Sequence, residues 1–348
     1  MKTQIFATFG PACGSKDILR KMIDAGMTGM RLNLSHTTLA NSEGYIRAYQ
    51  EAAAEAGITP QILIDMQGPE LRVGDVGEIK LQANKWAMFY AKEMGGYWSQ
   101  QNSLGALNEM QPVPVPLAVI KAARVGDEIL LDDGKLLVEV IAHEKEKLCV
   151  KVVRGGVLKS HKSIKIKGKN VKLPPLTEHD IENIKCAKVY GVTALMQPFV
   201  LSGDDLQEVK SVLKEHGADD IQIFAKIENK LGVENIESIL PEADVVIIAR
   251  GDLGNDMPLW ELPVVQKQVE NACKKQNVPY VVVTQMLSSM ETNPVPTRAE
   301  VSDIFHAVFH GAYGIMITGE SAIGKYPVEA VTYLTNTARE AEQNKGGF

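Results

Sequence analysis

Lys226, Glu228 and Asp252 are the residues whose types and spacing could support chemistry. They lie in residues 223–254, which contain the sequences IFAKIENKLGV and ADVVIIARGDLG. A lysine and two carboxylates that converge at strand ends could hold one divalent cation and one anion, since carboxylates with open positions suit Mg²⁺ and an ammonium group suits phosphate.

Two predicted strands joined by a helix position these three residues. The first is apolar until Lys226 and Glu228, and side chains two residues apart in a strand point to the same face. The second, Val245–Ala249, is a short β-branched run typical of a parallel sheet that is covered on both sides. Asp252 follows the end of this strand, so it is expected close to the first two.

Length and composition indicate a globular protein with one large interrupted domain or two domains. The chain has 348 residues and a net charge of −6, which argues against general binding to nucleic acid or a membrane surface. No apolar run is long enough to span a bilayer, and the strand-like start predicts no signal peptide. Four scattered cysteines predict reduced thiols in a cytoplasmic protein and no zinc site: Cys13, Cys149, Cys186 and Cys273.

The order of predicted elements is that of a (β/α)8 TIM barrel of the α/β class. Eight strand–helix units alternate, which favours a closed parallel barrel over an open doubly wound sheet. No Gly-x-Gly-x-x-Gly follows any strand, so a dinucleotide site has little support. The predicted strands are residues 3–9, 27–33, 61–65, 194–200, 223–228, 245–249, 280–284 and 314–317.

A small β-rich domain is predicted at residues 73–171, inserted after strand three, so the barrel comprises residues 1–72 and 172–348. The turn Asp132-Asp133-Gly134 between two apolar runs predicts a hairpin. The prolines of residues 111–116 predict a rigid loop. Lys165, Lys167 and Lys169 are spaced by two, which predicts three charges on one face of a solvated edge strand; the alternative is a lid that lowers one lysine onto a nucleotide phosphate.

Polar residues cluster where the predicted barrel strands end, which is where barrel active sites lie. Arginines and a lysine beside a pair of carboxylates suit a phosphorylated substrate that carries a carboxylate. Each residue also has a simpler interpretation: Lys226 and Glu228 as a structural ion pair, Asp252 as a helix cap, Thr284 as a capping residue. The convergence of polar residues at these strand ends favours a site. These residues are Arg31, Asn33, Ser35, His36, Asp65, Glu70, Arg72, Lys226, Glu228, Arg250, Asp252, Thr284, Gln285, Thr318 and Glu320.

The motifs taken together resemble those of the pyruvate kinase family. They are ATFGPAC, MRLNLSH, IDMQGPELRVG, AKIEN, ARGDLG, VTQMLSSM, PTRAEVSD and TGESAIGKYPVEAV. The resemblance covers nearly all of the barrel and is weak in the inserted domain. It implies a catalytic barrel with a mobile lid domain, and the glycolytic transfer of a phosphoryl group from phosphoenolpyruvate to ADP, giving pyruvate and ATP.

The resemblance also implies roles for individual residues around the substrate. Lys226, assisted by Arg31, would stabilise the phosphoryl group in transit. Glu228 and Asp252 would bind Mg²⁺ or Mn²⁺. The pyruvate unit would be held by Arg72, by the main-chain amides of Gly251 and Asp252 at a helix start, and by Thr284 beside the enolate carbon.

The resemblance further implies a K⁺ site and a nucleotide site. Asn33, Ser35 and Asp65, with the main-chain oxygen of Met66, would bind K⁺, and Glu70 matches the residue associated with potassium dependence. Nucleotide contacts are implied for Pro11, Asn33, His36, Asp133 and Lys162.

Several positions depart from the family pattern. The chain ends at Phe348, so we expect no C-terminal effector domain, no regulation through one, and a monomer or homodimer rather than a tetramer. A dimer would use residues 296–303. Gln67 replaces the usual Lys, Met66 the usual Thr, and Pro198 a phosphate-contacting Ser, and the lid sequence SHKSIKIKG is divergent.

These departures leave two alternatives open. One is a metal-dependent enolpyruvate enzyme of the aldolase or lyase type that does not use ADP. The other is a non-catalytic metabolite-sensing paralogue.

Overall fold

The chain folds into two compact units in a computed structural model that describes residues 2–35, 37–94, 110–132, 134–169 and 171–345. The first unit is Met1–Pro69 with Pro174–Phe348, and the second is Glu70–Leu173. Within the described residues, no helix is long and apolar enough to cross a membrane. Elements are numbered below in chain order.

The first unit is a closed barrel of eight parallel strands, which confirms the predicted fold class. Each strand pairs with the next along the chain, and the last pairs with the first. The strands are β1 Gln4–Thr8, β2 Gly29–Asn33, β3 Gln61–Asp65, β12 Ala194–Gln197, β13 Gln222–Ile227, β14 Val245–Ala249, β15 Tyr280–Val283 and β16 Gly314–Met316.

Helices follow the barrel strands, and several begin at side chains that cap them. Thr177 and Thr297 each form a capping box with an acidic residue three positions later, which satisfies amide groups at the helix start. The helices of this unit are α1 Lys16–Asp24, α2 Glu43–Ala56, α4 Glu178–Cys186, α5 Gly203–Glu215, α6 Lys230–Glu234, α7 Ile236–Ile239, α8 Arg250–Asp256, α9 Leu262–Gln276, α10 Arg298–Phe309, α11 Gly319–Ala322 and α12 Pro327–Gln343. Short 3-10 helices lie at Ala40–Ser42, Leu240–Glu242 and Ser288–Glu291.

The barrel interior is filled by apolar side chains. Phe6 and Phe224 meet edge to face with ring centroids 6.3 Å apart, and Met196 and Met316 belong to the same buried cluster. Because this core fills the barrel, polar groups can collect only at the strand ends.

Strand β12 is shorter than predicted because it ends before Pro198. Proline cannot donate to the strand ladder, and Phe199 takes a left-handed conformation with φ +56°. The chain therefore turns three residues earlier than the apolar pattern predicts.

The buried carboxylate of Asp180 binds both the segment that leaves the barrel before the second unit and the segment that re-enters it afterwards. Asp180 Oδ1 accepts from Gln67 N at 2.8 Å, and Oδ2 accepts from Gly68 N at 3.1 Å. The same Oδ2 accepts from the amide and the hydroxyl of Thr177 at 2.9 and 2.7 Å. One side chain of α4 thus joins the segment after β3 to the segment before α4.

The second unit is rich in antiparallel strands and has its own apolar core. A six-stranded sheet has the order β11-β7-β8-β9-β5-β6, and β4 pairs with β10. Leu131 pairs with Leu136 across the predicted hairpin, although Asp133 at its tip lies outside the described residues. The strands are β4 Glu78–Leu81, β5 Trp86–Ala91, β6 Gln111–Val115, β7 Glu128–Leu131, β8 Leu136–Glu144, β9 Lys147–Arg154, β10 Gly156–Lys159 and β11 Ile164–Ile166; α3 is Leu117–Ala122, and a 3-10 helix spans Lys92–Met94.

Two expectations for this unit are wrong. The proline-rich segment forms strand β6 rather than a loop, because β6 is an edge strand, where alternate residues need no N–H for pairing. The lysine stripe is not a single strand face, because β11 ends at Ile166 and the chain turns at Gly168, where φ is +72°. Lys167 and Lys169 instead form surface ion pairs.

Candidate active site

Four charged side chains form a connected cluster at the carboxyl ends of β2, β3 and β13. Lys226 Nζ lies 2.7 Å from Glu228 Oε1 and 3.2 Å from Asp65 Oδ1. Arg31 donates from Nε to Asp65 Oδ2 at 2.8 Å. The side chains of Asp65 and Glu228 are 3% exposed, so two carboxylates and two cations share one buried volume.

Strand register explains why residues from separate parts of the chain meet here. Asn33 pairs with Asp65 across β2 and β3, and Lys226 lies two residues before Glu228, as predicted. The alternation of strand side chains then directs Lys226 and Glu228 to the same end of the barrel.

Burial and mutual charge shift the pKa values of the cluster. Burial alone would raise the pKa of Asp65, but the positive charges of Lys226 and Arg31 hold it below its usual value. Burial opposes the charged form of Lys226, yet Asp65 and Glu228 raise its pKa. Lys226 is therefore a fixed cation at neutral pH and not a proton donor.

Glu228 differs from Asp65, because its pKa is raised. Burial is the largest cause; the charge of Lys226 lowers the pKa, and the neighbouring charge of Asp252 raises it. The Glu228 carboxylate is held in place by the Phe199 amide, which donates to Oε2 at 2.9 Å. This hydrogen bond depends on the left-handed Phe199, a feature that residue type did not reveal.

Glu228 and Asp252 fit a divalent cation of the Mg²⁺ type. Arg31, Lys226, Asp65 and Glu228 cancel in charge, and the exposed Asp252 in the first turn of α8 leaves a net negative charge. A cation would relieve the repulsion that raises the pKa of Glu228. Among the described residues there is no group of three or more His, Cys, Asp or Glu suited to a metal, and Mg²⁺ characteristically uses one or two carboxylates with water and substrate oxygens.

The residues predicted to hold K⁺ lie at two adjacent strand ends. Asn33 Oδ1 accepts from Ser35 N at 3.1 Å, and Leu34 N donates to the main-chain oxygen of Asp65 at 2.9 Å. Met66 is 1% exposed. The Asp65 carboxylate already contacts two cations, Arg31 and Lys226.

Thr284 lies directly after β15 in an unusual backbone conformation. Its φ is +73°, and Gln285 follows with φ +54°. The Thr284 hydroxyl donates to Val283 O at 2.6 Å and accepts from Gly251 N at 2.8 Å. The Gly251 amide predicted to receive a carboxylate is therefore bonded to Thr284 here.

The other predicted residues are distributed over both units. Pro11 is exposed in the turn after β1. In the second unit, Arg72 donates to Glu70 at 2.9 Å and to His161 O at 2.7 Å. Lys162 Nζ lies 3.2 Å from Asp132 Oδ1. The predicted His36 and Asp133 lie outside the described residues.

Glu320, one of the polar strand-end residues, has a structural role. It is 1% exposed and accepts from Leu287 N at 3.0 Å and from Thr318 N at 2.7 Å. It ties together the loops after β15 and β16.

Pro198 and Gly68 meet closely beside the cluster. A Cβ at Gly68 would lie 2.5 Å from Pro198 Cγ, so the ring packs against the bare backbone. Pro198 therefore presents an apolar ring and no side-chain donor at this position.

The fold and the charged strand ends define a (β/α)8 barrel whose carboxyl end is suited to an anion and a divalent cation. The family model described as pyruvate kinase, barrel domain, matches residues 1–331. The chain belongs to the pyruvate kinase family.

Similarity to individual family members extends over nearly the whole chain. The chain is 38% identical over 351 residues to a pyruvate kinase of Bacillus licheniformis and 39% identical over 346 residues to one of Geobacillus stearothermophilus. Each match covers 98% of this chain and 57% of the relative. A pyruvate kinase of Clostridium acetobutylicum is 35% identical, with 70% of its length covered. The chain thus spans little more than half the length of the first two relatives.

Proposed function

We propose that this protein transfers a phosphoryl group from phosphoenolpyruvate to ADP, giving pyruvate and ATP. The observation that carries the proposal is the buried Lys226 cation, held between Asp65 and Glu228 with Arg31 on the far side of Asp65. Phosphoryl transfer needs mainly positioning and charge neutralisation, which fixed cations provide.

Lys226 and Arg31 act on the transferred phosphoryl group. The raised pKa of Lys226 keeps its ammonium group charged throughout, so it stabilises negative charge without giving up a proton. Glu228 and Asp252 are the residues that would hold Mg²⁺ or Mn²⁺, which supplies Lewis-acid neutralisation of substrate oxygens.

The pyruvate unit lies against the start of α8 and the turn after β15. Its carboxylate accepts hydrogen bonds from the main-chain amides of Gly251 and Asp252. This carboxylate displaces the Thr284 hydroxyl from Gly251 N. Thr284 then faces the enolate carbon.

A monovalent cation and the nucleotide complete the proposed site. Asn33, Ser35, Asp65 and the main-chain oxygen of Met66 are the groups that would hold K⁺, and Asp65 would be shared with Arg31 and Lys226. The nucleotide contacts Pro11 and Asn33 of the barrel unit. The protein acts in the cytoplasm, and residues 296–303 form the contact surface if two copies associate.

Enolate chemistry without ADP is the second candidate. Pro198 packing on Gly68 leaves no side-chain donor for phosphate at that position, which favours this alternative. Glu228 and Asp252 would hold the cation, and Lys226 would stabilise the negative charge of an enolate formed by carbon–carbon bond cleavage.

Pyruvate release from phosphoenolpyruvate and ADP, with Mg²⁺ and K⁺, tests the proposal. We expect turnover by the parent and a loss of at least about 100-fold for Lys226→Met, as for removal of a preorganised stabilising group. Lys230→Met is the matched control, because Lys230 is 73% exposed in the same segment. An inactive parent that still binds oxalate with Mg²⁺ would reject phosphoryl transfer and favour enolate chemistry.

A further inference from the structure

Two consecutive residues after β15 have left-handed backbone conformations that their side chains disfavour. Thr284 has φ +73° and Gln285 has φ +54°. Thr284 is β-branched, so this conformation is a genuine outlier. Strained backbone persists only where surrounding contacts over-determine it, and it is found most often at functional sites.

Arg250 supplies those contacts on the carbonyl side of Thr284. Its Nη2 and Nε donate to Thr284 O at 2.7 and 3.2 Å. Its Nη1 donates to Asp303 Oδ2 on α10 at 2.6 Å. The Arg250 side chain is 11% exposed, so Asp303 neutralises a mostly buried charge.

The next residue holds Thr284 on its hydroxyl side. Gly251 N donates to Thr284 Oγ1 at 2.8 Å, and that hydroxyl donates to Val283 O at 2.6 Å. Arg250 and Gly251 therefore fix both the carbonyl and the hydroxyl of the strained residue.

We propose that Arg250 is a positioning residue for the reaction, oriented by Asp303, which holds the Thr284 hydroxyl where the three-carbon unit reacts. The proposal rests on the proposed function, in which Thr284 faces that unit. Arg250 touches no substrate atom in it and acts only through Thr284.

The geometry requires arginine rather than any cation. A planar guanidinium can place two N–H groups on one carbonyl and a third on a carboxylate, whereas an ammonium is a point charge that cannot hold this arrangement. Asp303→Asn keeps one acceptor for Nη1, and Asp303→Ala removes it.

Steady-state kinetics of Arg250→Lys tests the proposal. We expect kcat to fall by about 10- to 100-fold, with KM for ADP unchanged and the melting temperature close to that of the parent, as for misplacement of a reacting group. Asp303→Ala should lower kcat more than Asp303→Asn. Arg20→Lys is the matched control, because Arg20 binds Asp24 through a comparable pair at the surface.

A double-mutant cycle separates positioning from a general structural role. If Arg250 acts through Thr284, Arg250→Lys in a Thr284→Ala background should change kcat by less than about twofold, because interacting sites are not additive. An equal loss in both backgrounds would overturn the proposal and leave the proposed function intact.

A crystal structure of Arg250→Lys keeps the two proposals distinguishable. If the parent does not turn over phosphoenolpyruvate, the proposed reaction is rejected, and the positioning role of Arg250 still has to be tested. The positioning role is then decided by Thr284: a relaxed, negative φ with Oγ1 removed from Gly251 N supports it, and an unchanged φ refutes it.

Discussion

The charged side chains at the strand ends of the barrel unit are buried and share partners, whereas Lys167 and Glu128 of the second unit form a separate pair at the surface. The Lys226 and Asp65 side chains are 13% and 3% exposed, while those of Lys167 and Glu128 are 64% and 37% exposed. Burying charges costs free energy that surface pairs never pay. The buried cluster at the strand ends is therefore better explained by a role in a reaction than by a contribution to the stability of the fold.

Replacing Asp65 should give the largest stability effect. Asp65→Asn removes the carboxylate that Arg31 and Lys226 share, so the buried Arg31 loses this partner and Lys226 keeps Glu228. We expect the free energy of unfolding in urea to fall by about 3–5 kcal/mol.

Asp24→Asn is the comparison for this experiment. It breaks the exposed pair with Arg20 and should lower the free energy of unfolding much less than Asp65→Asn does. Equal losses in the two variants would remove the distinction between buried and surface charges.

The acid dependence of stability should come in part from Asp65. Its pKa is lowered in the folded state, so the unfolded chain, with a pKa of about 3.9, takes up the proton first. The stabilisation is therefore complete above the unfolded pKa and is lost as the pH falls through the folded pKa. The contribution of Glu228 to folding stability has the opposite pH dependence. Because its pKa is raised in the folded state, this contribution is lost as the pH rises.

Urea unfolding at a series of pH values between neutral and strongly acidic measures this dependence. We expect the acid loss of stability to be shallower in Asp65→Asn than in the parent. Parallel profiles would mean that Asp65 is not the group responsible.

Replacing a surface lysine of the second unit should have the smallest effect. Lys169→Ala removes a pair with Asp127 in which the lysine side chain is 38% exposed. The change in unfolding free energy should stay within about 1 kcal/mol, and turnover should match the parent. A large loss of turnover would instead assign Lys169 a role in the lid.

The sequence predicts the barrel well because its strands are short apolar runs that end in polar residues. Lys226 and Glu228 meet as expected, since the alternation of a strand fixes their direction. The Phe199 amide on Glu228 and the Arg250 contacts with Thr284 were missed, because both depend on left-handed backbone at residues other than glycine. Residue type gives no signal for that conformation at Phe or Thr.

Strand predictions failed where one pattern allows two structures. Alternating prolines suit a loop, but they also suit an edge strand, and the neighbouring β5 decides between them. Lysines spaced by two suit a strand face, but the turn at Gly168 ends β11 after one of them.

Asp180 has a consequence for how the barrel accommodates inserted sequence. Its Oδ2 accepts from both Gly68 N and Thr177 N, so the barrel holds the two borders of the insertion at a single atom. The ends are fixed by the barrel itself, and closing a longer or shorter loop between them adds little entropic cost. The length and the sequence of the inserted segment can therefore change while the strand order of the barrel stays the same.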